Sequence, residues 1–519
     1  MKEKITIPKE VLEIIKKLKE KGFYAYIVGG CVRDLLLPFI HKEFKRISPK
    51  DWDIATNAKP EQVAKIFPKH FIDNKFGTVK VLTKSKAPAL KEIEITTFRI
   101  EEKYTDKRHP EKVKWAKTIE EDLARRDFTI NAMAIEITQN SKLKIPARLA
   151  GGQNHNAKLK TEGLRIIDPF NGRKDLEKKI IRAVGEPDER FQEDALRLMR
   201  AVRFATTLNF EIEPETYRAI KKNAGLLEFI SKERIRDELM KIIMSENAAK
   251  GIDLLRETNL LQYIIPELLE GYKMEQNKHH IYDVYEHSLR SLDFAAKKGF
   301  NKYVRLAALF HDIGKPRTKR GEGPNSTFYN HEIVGAKMTA QILNRLRFPK
   351  KDIEKVVKLV RYHLFYYNVG EVTESSVRRL LRKVGKENIE ELVQLRMADR
   401  IGSGCPKALP YRLRHFLYVV DKVSQDPIST IMLKINGHKI MEILKIDPGP
   451  KIGQIMDILL SEVLEDPQKN NENYLISRTK EIGQLSEKDL SEMASMARKK
   501  INEIVQKRDE MTKKKYWVS

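Results

Sequence analysis

The chain has 519 residues, 41% of them hydrophobic, so its length predicts several domains with substantial cores. Lys and Arg number 99 against 73 Asp and Glu, which gives a formal net charge of +26. A charge of that size favours a polyanionic partner, RNA or DNA, although a general lysine enrichment would give the same total. The two cysteines, Cys31 and Cys405, are too few for a disulfide framework or a cysteine-based zinc site. No stretch of 18 apolar residues occurs, so we expect no membrane span and a cytoplasmic location.

Residues 1–182 show helix and strand patterns together and predict an α/β domain. An apolar stripe from Val11 to Leu18 indicates an amphipathic helix that stops at Gly22. The strand patterns lie at 25–30, 79–83, 92–98 and 133–137.

From about residue 186 onward, strand patterns nearly vanish and helical periodicity dominates. The segment 190–208, RFQEDALRLMRAVRFATTL, is predicted to be helical throughout. A polar stretch places a boundary near 270–280, and a further helical block begins at about 405. The charged segment 499–515 is predicted to be either a helix or a frayed end.

Two carboxylates one residue apart, Asp51 and Asp53 in KDWDIAT, are the most informative feature of the chain. Strand alternation puts both on one face, where like charges repel unless a cation lies between them. Mg²⁺ prefers carboxylate oxygens, and two such ions can clamp a phosphoryl transfer. The upstream turn at Gly29 and Gly30 lets a phosphate approach the backbone, and Arg33 follows with a guanidinium. We therefore interpret this segment as a metal and phosphate site rather than a solvated turn.

Glu94 and Arg126 extend this predicted site. Glu94 stands between two isoleucines of a predicted strand, where a carboxylate is costly unless it faces a site or solvent. It is either a third acid of the site or the polar face of a half-exposed strand. Arg126, within the run 125–127, can bind a triphosphate, or the run can form a salt-bridge cluster at the surface.

Acidic and basic residues recur at helical spacing in RFQEDALRLMRAVRFA (190–205). Asp194 can accept a hydrogen bond from the amino group of cytosine or adenine, and Arg197 can donate to a ring nitrogen. The alternative is an ion pair at the surface. The residues predicted to share one helix face are Glu193, Asp194, Arg197, Arg200 and Arg203.

Together these motifs resemble the class II tRNA nucleotidyltransferase and poly(A) polymerase family of the DNA polymerase β superfamily, and are most similar to its CCA-adding enzymes. The matching stretches are GGCVRDLLL, DWDIAT, FGTV, EITTFR, YTDKRHPEKV, RRDFTINAMA, IIDPFNGRKDLEKKIIRAVG, RFQEDALRLMRAVRFA and SKERIRDELMKII, with 435–470 further downstream. The resemblance implies a polymerase β-like α/β head followed by an all-α neck, body and tail.

The resemblance also implies a role for each matching position. Asp51 and Asp53 match the catalytic, metal-binding aspartates, and Glu94 matches a further carboxylate. Asp194 and Arg197 match the protein template that pairs with CTP or ATP. The other positions that match nucleotide contacts are Gly30, Arg33, Arg126, Arg200 and Arg203.

Three further segments can be compared with the family pattern: one matches a family loop, and two are insertions. The segment 108–110, Arg-His-Pro, matches a flexible loop that helps to switch from C to A addition, and its presence argues against C-only addition. Two insertions, at 38–48 and at 139–165, depart from the family pattern. Both are predicted to be surface loops.

A separate set of histidines and aspartates lies between residues 286 and 402. His311 and Asp312 adjoin at the end of an apolar run in LFHDIGKP, and imidazole with carboxylate suits divalent transition metals. The motif resembles the HD metal-dependent phosphohydrolase superfamily, so the module is expected to be either hydrolytic or purely structural. The expected ligands are His287, His311, Asp312 and Asp399, with His331 and His363 as further candidates.

The expected activity is template-independent addition of CCA, from CTP and ATP, to the 3′ end of tRNA by two-metal nucleotidyl transfer with release of pyrophosphate. The expected cofactors are Mg²⁺ in the head and a divalent transition metal in the HD module. The alternatives are A addition or poly(A) synthesis, a protein that is chiefly an HD phosphohydrolase, and a non-catalytic RNA-binding protein. The predicted domains are the head (1–182), the neck and body (183–277), the HD domain (278–402) and a tail that contacts tRNA (403–519).

Overall fold

The computed structural model describes residues 5–44, 49–73, 77–104, 110–138, 163–277, 281–424 and 428–518. The chain forms two compact units. The first comprises residues 1–361 and 398–405, and the second comprises residues 362–397 and 406–519. Among the described helices, none is long and apolar enough to cross a lipid bilayer.

The strands are β1 Ala25–Val28, β2 Asp53–Thr56, β3 His70–Asp73, β4 Thr78–Leu82, β5 Glu92–Thr97, β6 Arg99–Tyr104, β7 Pro110–Trp115, β8 Ala134–Ile137, β9 Leu164–Ile167, β10 Ile180–Ile181 and β11 Glu211–Ile212. Seven of them form one mixed sheet in the order β3-β4-β5-β2-β1-β8-β9. Within it β2 and β5 are parallel, and the other neighbours are antiparallel. The four predicted strand segments are confirmed as β1, β4, β5 and β8.

Helices dominate the rest of the chain, so the prediction of an α/β head followed by helical regions is confirmed. Up to residue 277 they are α1 Lys9–Glu20, α2 Gly30–Ile40, α3 Pro60–Ile66, α4 Pro88–Lys91, α5 Ile119–Ala124, α6 Gly172–Lys178, α7 Pro187–Glu193, α8 Leu196–Leu208, α9 Pro214–Asn223, α10 Lys232–Ile243, α11 Ala248–Glu257 and α12 Leu261–Ile264. Beyond it they are α13 Val284–Lys297, α14 Lys302–Phe310, α15 Lys315–Thr318, α16 His331–Arg345, α17 Lys350–Tyr362, α18 Glu374–Val384, α19 Ile389–Gly402, α20 Tyr411–Ser424, α21 Gly437–Leu444, α22 Pro450–Glu465, α23 Glu472–Gly483 and α24 Glu487–Lys515.

The amphipathic stripe of α1 is buried as predicted, from Val11 to Leu18, and the helix stops before Gly22, whose φ is +82°. In the second unit, α21 to α24 share a core that includes Leu459 and Leu475, both fully buried. The segment 499–515 lies within α24, so of the two predicted alternatives the helix is confirmed and the frayed end is not.

The prediction of one unbroken helix over 190–208 is wrong. The chain leaves the helix at Asp194, whose φ of −137° and ψ of 101° are extended, so α7 ends at Glu193 and α8 starts at Leu196. The Asp194 carboxylate accepts a hydrogen bond from the Leu196 amide at 3.1 Å, as a helix-capping residue does. Apolar periodicity continues across such a break, so it could not reveal it.

The loop prediction for the first insertion is also wrong in part. Residues 38–40 complete α2, which runs through Pro38 to Ile40, and a short 3₁₀ turn follows at Lys42–Phe44. The rest of that insertion, 45–48, lies outside the described residues, as does most of the second one, 139–162. Leu164 and Arg165, at the end of the second insertion, belong to β9 rather than to a loop.

Candidate active site and metal centre

Strand register brings the predicted acids of the head together. Asp53 is the first residue of β2, and its partner on the parallel strand β5 is Glu94. Glu94 is half-exposed, and its carboxylate also meets the Lys80 ammonium from β4 at 2.8 Å. Asp51 lies two residues before Asp53 and is exposed at the end of the sheet. The carboxylates that the sequence singles out therefore lie together in the middle of the sheet, where β2 begins beside β5.

Electrostatics distinguish Asp53 from an ordinary surface acid. Burial raises the pKa of the Asp53 carboxyl to about 6, the Glu94 and Asp51 carboxylates push it the same way, and the Arg126 guanidinium opposes the rise. A carboxylate whose pKa lies so far above its usual range is only partly compensated by the positive charges around it, here those of Arg126 and Lys80. Divalent cations supply that charge through oxygen ligands, so these residues fit the metal that the sequence predicts.

The turn before α2 leaves space for a guanidinium. Gly29 has a φ of +80°, which favours glycine, and a Cβ there would lie 2.7 Å from the Arg126 NH1 atom and 3.6 Å from Asp53 Oδ2. Arg126 is held in turn by the buried carboxylate of Asp122, with NH2 3.2 Å from Oδ2. At Gly29 the close approach is therefore that of Arg126, which brings its charge next to Asp53.

A network of hydrogen bonds between polar side chains connects α2 to α8. Arg33 on α2 donates from NH1 to Asn131 Oδ1 at 2.8 Å, and Asn131 donates from Nδ2 to Asp127 Oδ1 at 3.2 Å. Asp127 accepts from Arg200 Nε at 2.8 Å. Burial alone would raise the pKa of the Asp127 carboxyl, but the Arg200 guanidinium and the Asn131 amide bring it down to about 2. Asp127 thus stays ionised and fixes Arg200 at the head.

The two predicted base-reading residues lie at the break between α7 and α8. Asp194 pairs through Oδ2 with the Arg234 guanidinium at 2.9 Å. Arg197 is 7% exposed; its NH1 donates to Glu193 Oε2 at 2.6 Å, and its NH2 donates to the Arg125 carbonyl at 3.0 Å. The fold therefore anchors Arg197 to the Arg125–Asp127 turn and holds Asp194 against α10.

A second cluster forms where α13, α14, α16 and α19 meet. The Nε2 atoms of His287 and His311 are 2.9 Å apart. Asp312 Oδ2 lies 3.2 Å from the His287 nitrogen, and Asp399 Oδ1 lies 3.4 Å from it. His287, His311 and Asp312 lie close enough together to hold one ion, and Asp399 adjoins both imidazoles. These are the nitrogen and oxygen donors that a transition metal takes, so the residues fit such an ion.

The HD cluster is closed, and its charges are largely balanced. His287, His311 and Asp312 are each 2% exposed or less. Burial lowers the pKa of His311, but the Asp312 and Asp399 carboxylates outweigh it and raise that pKa to about 10. The Lys315 ammonium lies 2.7 Å from Asp312 Oδ2 and 2.6 Å from Gln276 Oε1.

Two further candidate ligands of this cluster are placed differently. His331, the first residue of α16, directs Nε2 to Asp312 Oδ1 at 3.2 Å, while its Nδ1 lies 2.7 Å from the Phe328 carbonyl. It therefore joins the cluster through Asp312. His363 follows α17 and belongs to the second unit.

Several residues that organise these sites escaped the sequence analysis. Asn131 and Asp127 lie within the RRDFTINAMA stretch, but only the fold shows that they bridge Arg33 and Arg200. Arg234 and Glu238 lie on one face of α10, four residues apart, where they bind Asp194 and Arg203. That spacing was visible in the sequence, but the partners were not. The Arg-His part of the 108–110 segment lies outside the described residues, and Pro110 begins β7.

The chain was then compared with known proteins. Residues 25–182 match the family model "Poly A polymerase head domain", residues 209–271 match "Probable RNA and SrmB-binding site of polymerase A", and residues 284–403 match "HD domain". The CCA-adding enzyme of Streptococcus thermophilus is 32% identical over 471 residues, which cover 90% of this chain and 95% of that one. The A-adding tRNA nucleotidyltransferase of Deinococcus radiodurans is 32% identical over 354 residues, 66% of this chain and 74% of that one.

The chain belongs to the CCA-adding family of tRNA nucleotidyltransferases. The fold agrees, since the crystal structure of the Bacillus stearothermophilus CCA-adding enzyme in complex with CTP aligns with a TM-score of 0.56 and 29% identity, over 92% of this chain and 98% of that one. Membership in this family makes the chain an enzyme, so the hypothesis of a non-catalytic RNA-binding protein is wrong. The family also implies dependence on a divalent metal.

Proposed function

We propose that this enzyme completes the 3′ end of tRNA by adding C, C and A from CTP and ATP. The observation that carries the proposal is the head site, where Asp51, Asp53 and Glu94 gather beside guanidiniums that suit a triphosphate. A full-length relative is named a CCA-adding enzyme, and a structural relative binds CTP. The D. radiodurans relative adds A, so A addition is the first alternative to test.

The residues that would hold Mg²⁺ are Asp51 and Asp53, with Glu94 as a third carboxylate on the neighbouring strand. Burial, together with the Glu94 and Asp51 carboxylates, raises the pKa of Asp53, and this supports the assignment because a bound cation offsets both the burial and the repulsion. When bound, Mg²⁺ supplies positive charge for the triphosphate and for the attacking hydroxyl. The reaction joins the 3′ oxygen of the RNA to the α-phosphorus and breaks the bond to the β-phosphate, which leaves as pyrophosphate.

The arginines of the head and of α8 bind and orient the triphosphate. Arg33 and Arg126 flank the turn that ends at Gly30, and Arg200 and Arg203 follow from α8. Their guanidiniums offer paired N–H donors that match phosphate oxygens. Because Asp122 and Asp127 already fix two of them, little conformational entropy is lost when the nucleotide binds.

Asp194 and Arg197 select the base in place of a nucleic-acid template. A carboxylate accepts from the amino group that C and A share and that U lacks, and a guanidinium donates to a ring nitrogen. Arg234 holds Asp194 in the break between α7 and α8, which keeps the acceptor in place.

The HD cluster is a second metal site in this proposal. His287, His311, Asp312 and Asp399 would hold a divalent transition metal, and the adjoining His331 would orient Asp312. His363 stays a predicted further ligand. A phosphohydrolase activity at this site is an additional function, separate from nucleotide addition.

We further propose the four-part division into head, neck and body, HD domain and tail, with a cytoplasmic location. The tail helices contact the phosphates of tRNA, since the last turn of α24 carries Lys513, Lys514 and Lys515. The major groove of A-form RNA is too deep and narrow for side chains to read, so this contact recognises the shape of the RNA. Because it is made to phosphates, it weakens with salt.

The decisive experiment is to incubate the enzyme with a tRNA transcript that ends at the discriminator base. CTP alone should extend it by two residues, and CTP with ATP should extend it by three. Extension only of a transcript that already ends in CC would indicate an A-adding enzyme. Long A tails would indicate a poly(A) polymerase, and no extension with any nucleotide would reject the proposal.

A further inference from the structure

Three of the arginines proposed to bind the triphosphate meet at one aromatic ring. The guanidinium carbons of Arg33, Arg200 and Arg203 lie 5.2, 5.4 and 3.8 Å from the ring centroid of Phe204. Arg200 and Arg203 share α8 with this ring, whereas Arg33 comes from α2 of the head. Phe204 is 6% exposed, so its ring is enclosed by these contacts rather than by water.

Each guanidinium also has its own carboxylate. Arg33 pairs with Asp34 at 2.8 Å, Arg203 pairs with Glu238 at 2.8 Å, and Arg200 pairs with Asp127. The acids balance the charges but come from three different segments. The Phe204 ring, by contrast, is a contact that all three arginines share.

The ring itself is held rigidly. It packs edge to face on Phe128, with centroids 5.7 Å apart and planes at 78°. The backbone amide of Phe128 donates to the Asp127 carboxylate at 2.9 Å. The Phe204 ring is therefore linked, through Phe128, to the acid that pairs with Arg200.

Crowding the cations in this way has an energetic cost that the ring offsets. All three carbons lie within about 11 Å of one another, since each is near the same centroid. Like charges at that range repel, most strongly in a partly buried site. The negative face of a benzene ring attracts cations, so it lowers this repulsion and fixes the spacing of the guanidiniums.

We propose that Phe204 is a positioning residue for triphosphate binding, which holds Arg33 of the head and Arg200 and Arg203 of α8 in register through its ring electrons. The proposal rests on the function proposed above and adds a residue that touches neither base nor phosphate. It makes the affinity for nucleotides depend on the electronic character of a buried phenylalanine, and not only on its bulk.

The test compares two buried phenylalanines. Phe204→Leu keeps apolar bulk but removes the ring, and Phe210→Leu does the same at a fully buried site that packs on His41 and Phe44. Both variants should lower the midpoint of thermal unfolding. Only Phe204→Leu should raise KM for CTP and ATP, by about tenfold, with kcat within about twofold of wild type. Its inhibition by inorganic triphosphate should weaken by a similar factor.

A graded series removes the ambiguity of an altered shape. Replacing Phe204 with mono-, di- and trifluorinated phenylalanine lowers the electron density of the ring and nearly preserves its size. The dissociation constant of CTP, measured by calorimetry, should rise stepwise along the series, whereas the same series at Phe210 should leave it unchanged. Equal constants along the Phe204 series would overturn the proposal.

The outcome is separable from that of the proposed function. An enzyme that binds CTP but adds no nucleotide would refute the CCA-adding proposal. The fluorinated series would still test the role of Phe204, because it measures only the dissociation constant of CTP. If the enzyme adds CCA and both leucine variants have the same KM for CTP and ATP, the positioning role of Phe204 is refuted and the CCA-adding proposal stands.

Discussion

The head and the HD module both gather acids at a predicted metal site, but the physical state of those acids is opposite. In the head, burial and the neighbouring Glu94 and Asp51 carboxylates raise the pKa of Asp53 to about 6. In the HD cluster, burial alone would raise the pKa of Asp312, but the Lys315 ammonium and the His311 and His287 imidazoles hold it well below its usual value.

The head acids therefore need added cations to balance their charge, whereas the HD acids are already paired with cationic side chains of the protein. The head acids range from exposed Asp51 to largely enclosed Asp53 and are only partly compensated by cations, which suits ions that arrive with a triphosphate and leave with pyrophosphate. The HD cluster is buried, and its carboxylates are neutralised by the histidines and by Lys315. This suits a permanently bound metal ion, which would replace the imidazole protons and the contact between Lys315 and Asp312. The two sites should therefore respond very differently to single substitutions.

The largest expected effect is at the head. Asp51→Ala or Asp53→Ala should reduce CCA addition by at least about 10³-fold, because each removes a metal-binding carboxylate at the reacting phosphate. The affinity for tRNA, measured by filter binding, should change by less than about twofold. Glu92→Ala, which removes an exposed carboxylate from the same strand as Glu94, is the matched control. Full activity in either aspartate variant would refute the metal assignment.

The corresponding change in the HD cluster should spare nucleotide addition. His311→Ala should abolish any hydrolysis of phosphate esters and lower the transition-metal content of the purified protein, measured by mass spectrometry. CMP and AMP incorporation should stay within about twofold of wild type. His438→Ala, at an exposed histidine of α21, should retain the metal. If His311→Ala also stopped incorporation, the two sites would not be independent.

A smaller effect is expected on base choice. Asp194→Ala should reduce the preference for CTP and ATP over UTP and GTP by about ten- to a hundredfold, because the acceptor for the amino group is lost. Asp194→Asn keeps the oxygen that caps α8, so it separates base selection from helix capping. Competition between labelled nucleotides gives the ratio directly, and an unchanged ratio in both variants would remove the template role.

The smallest effect is on stability and follows from the Asp53 pKa. The folded value, about 6, exceeds the ordinary value of 3.8, so the contribution of Asp53 to stability is full below pH 4 and is lost as the pH rises through 6. Without divalent cations, Asp53→Asn should be about 1–2 kcal/mol more stable than wild type at pH 8, allowing for solvent screening. Thermal unfolding at pH 4 and pH 8 with a chelator tests this, and a difference that does not grow with pH would contradict it.

Local pattern predicted much of the fold and of the sites. Period-two alternation located the strands that carry Asp53 and Glu94, and the apolar stripe located α1, because both depend on a repeat within a few residues. The family resemblance, confirmed by the comparisons, supplied roles that no periodicity could give. The break at Asp194 was missed because its cause lies in a capping bond and in Arg234, forty residues away.

What the sequence by itself determined is the inventory of chemical groups: paired carboxylates after a glycine turn, arginines on α8, and an HD motif in a strongly basic chain. Only the tertiary structure decided which of them compensate one another. It placed Arg126 in the space that Gly29 leaves, Asn131 between Arg33 and Asp127, and three guanidiniums around Phe204. These pairings depend on through-space distances between segments far apart in the chain, and a one-dimensional pattern records only neighbours along it.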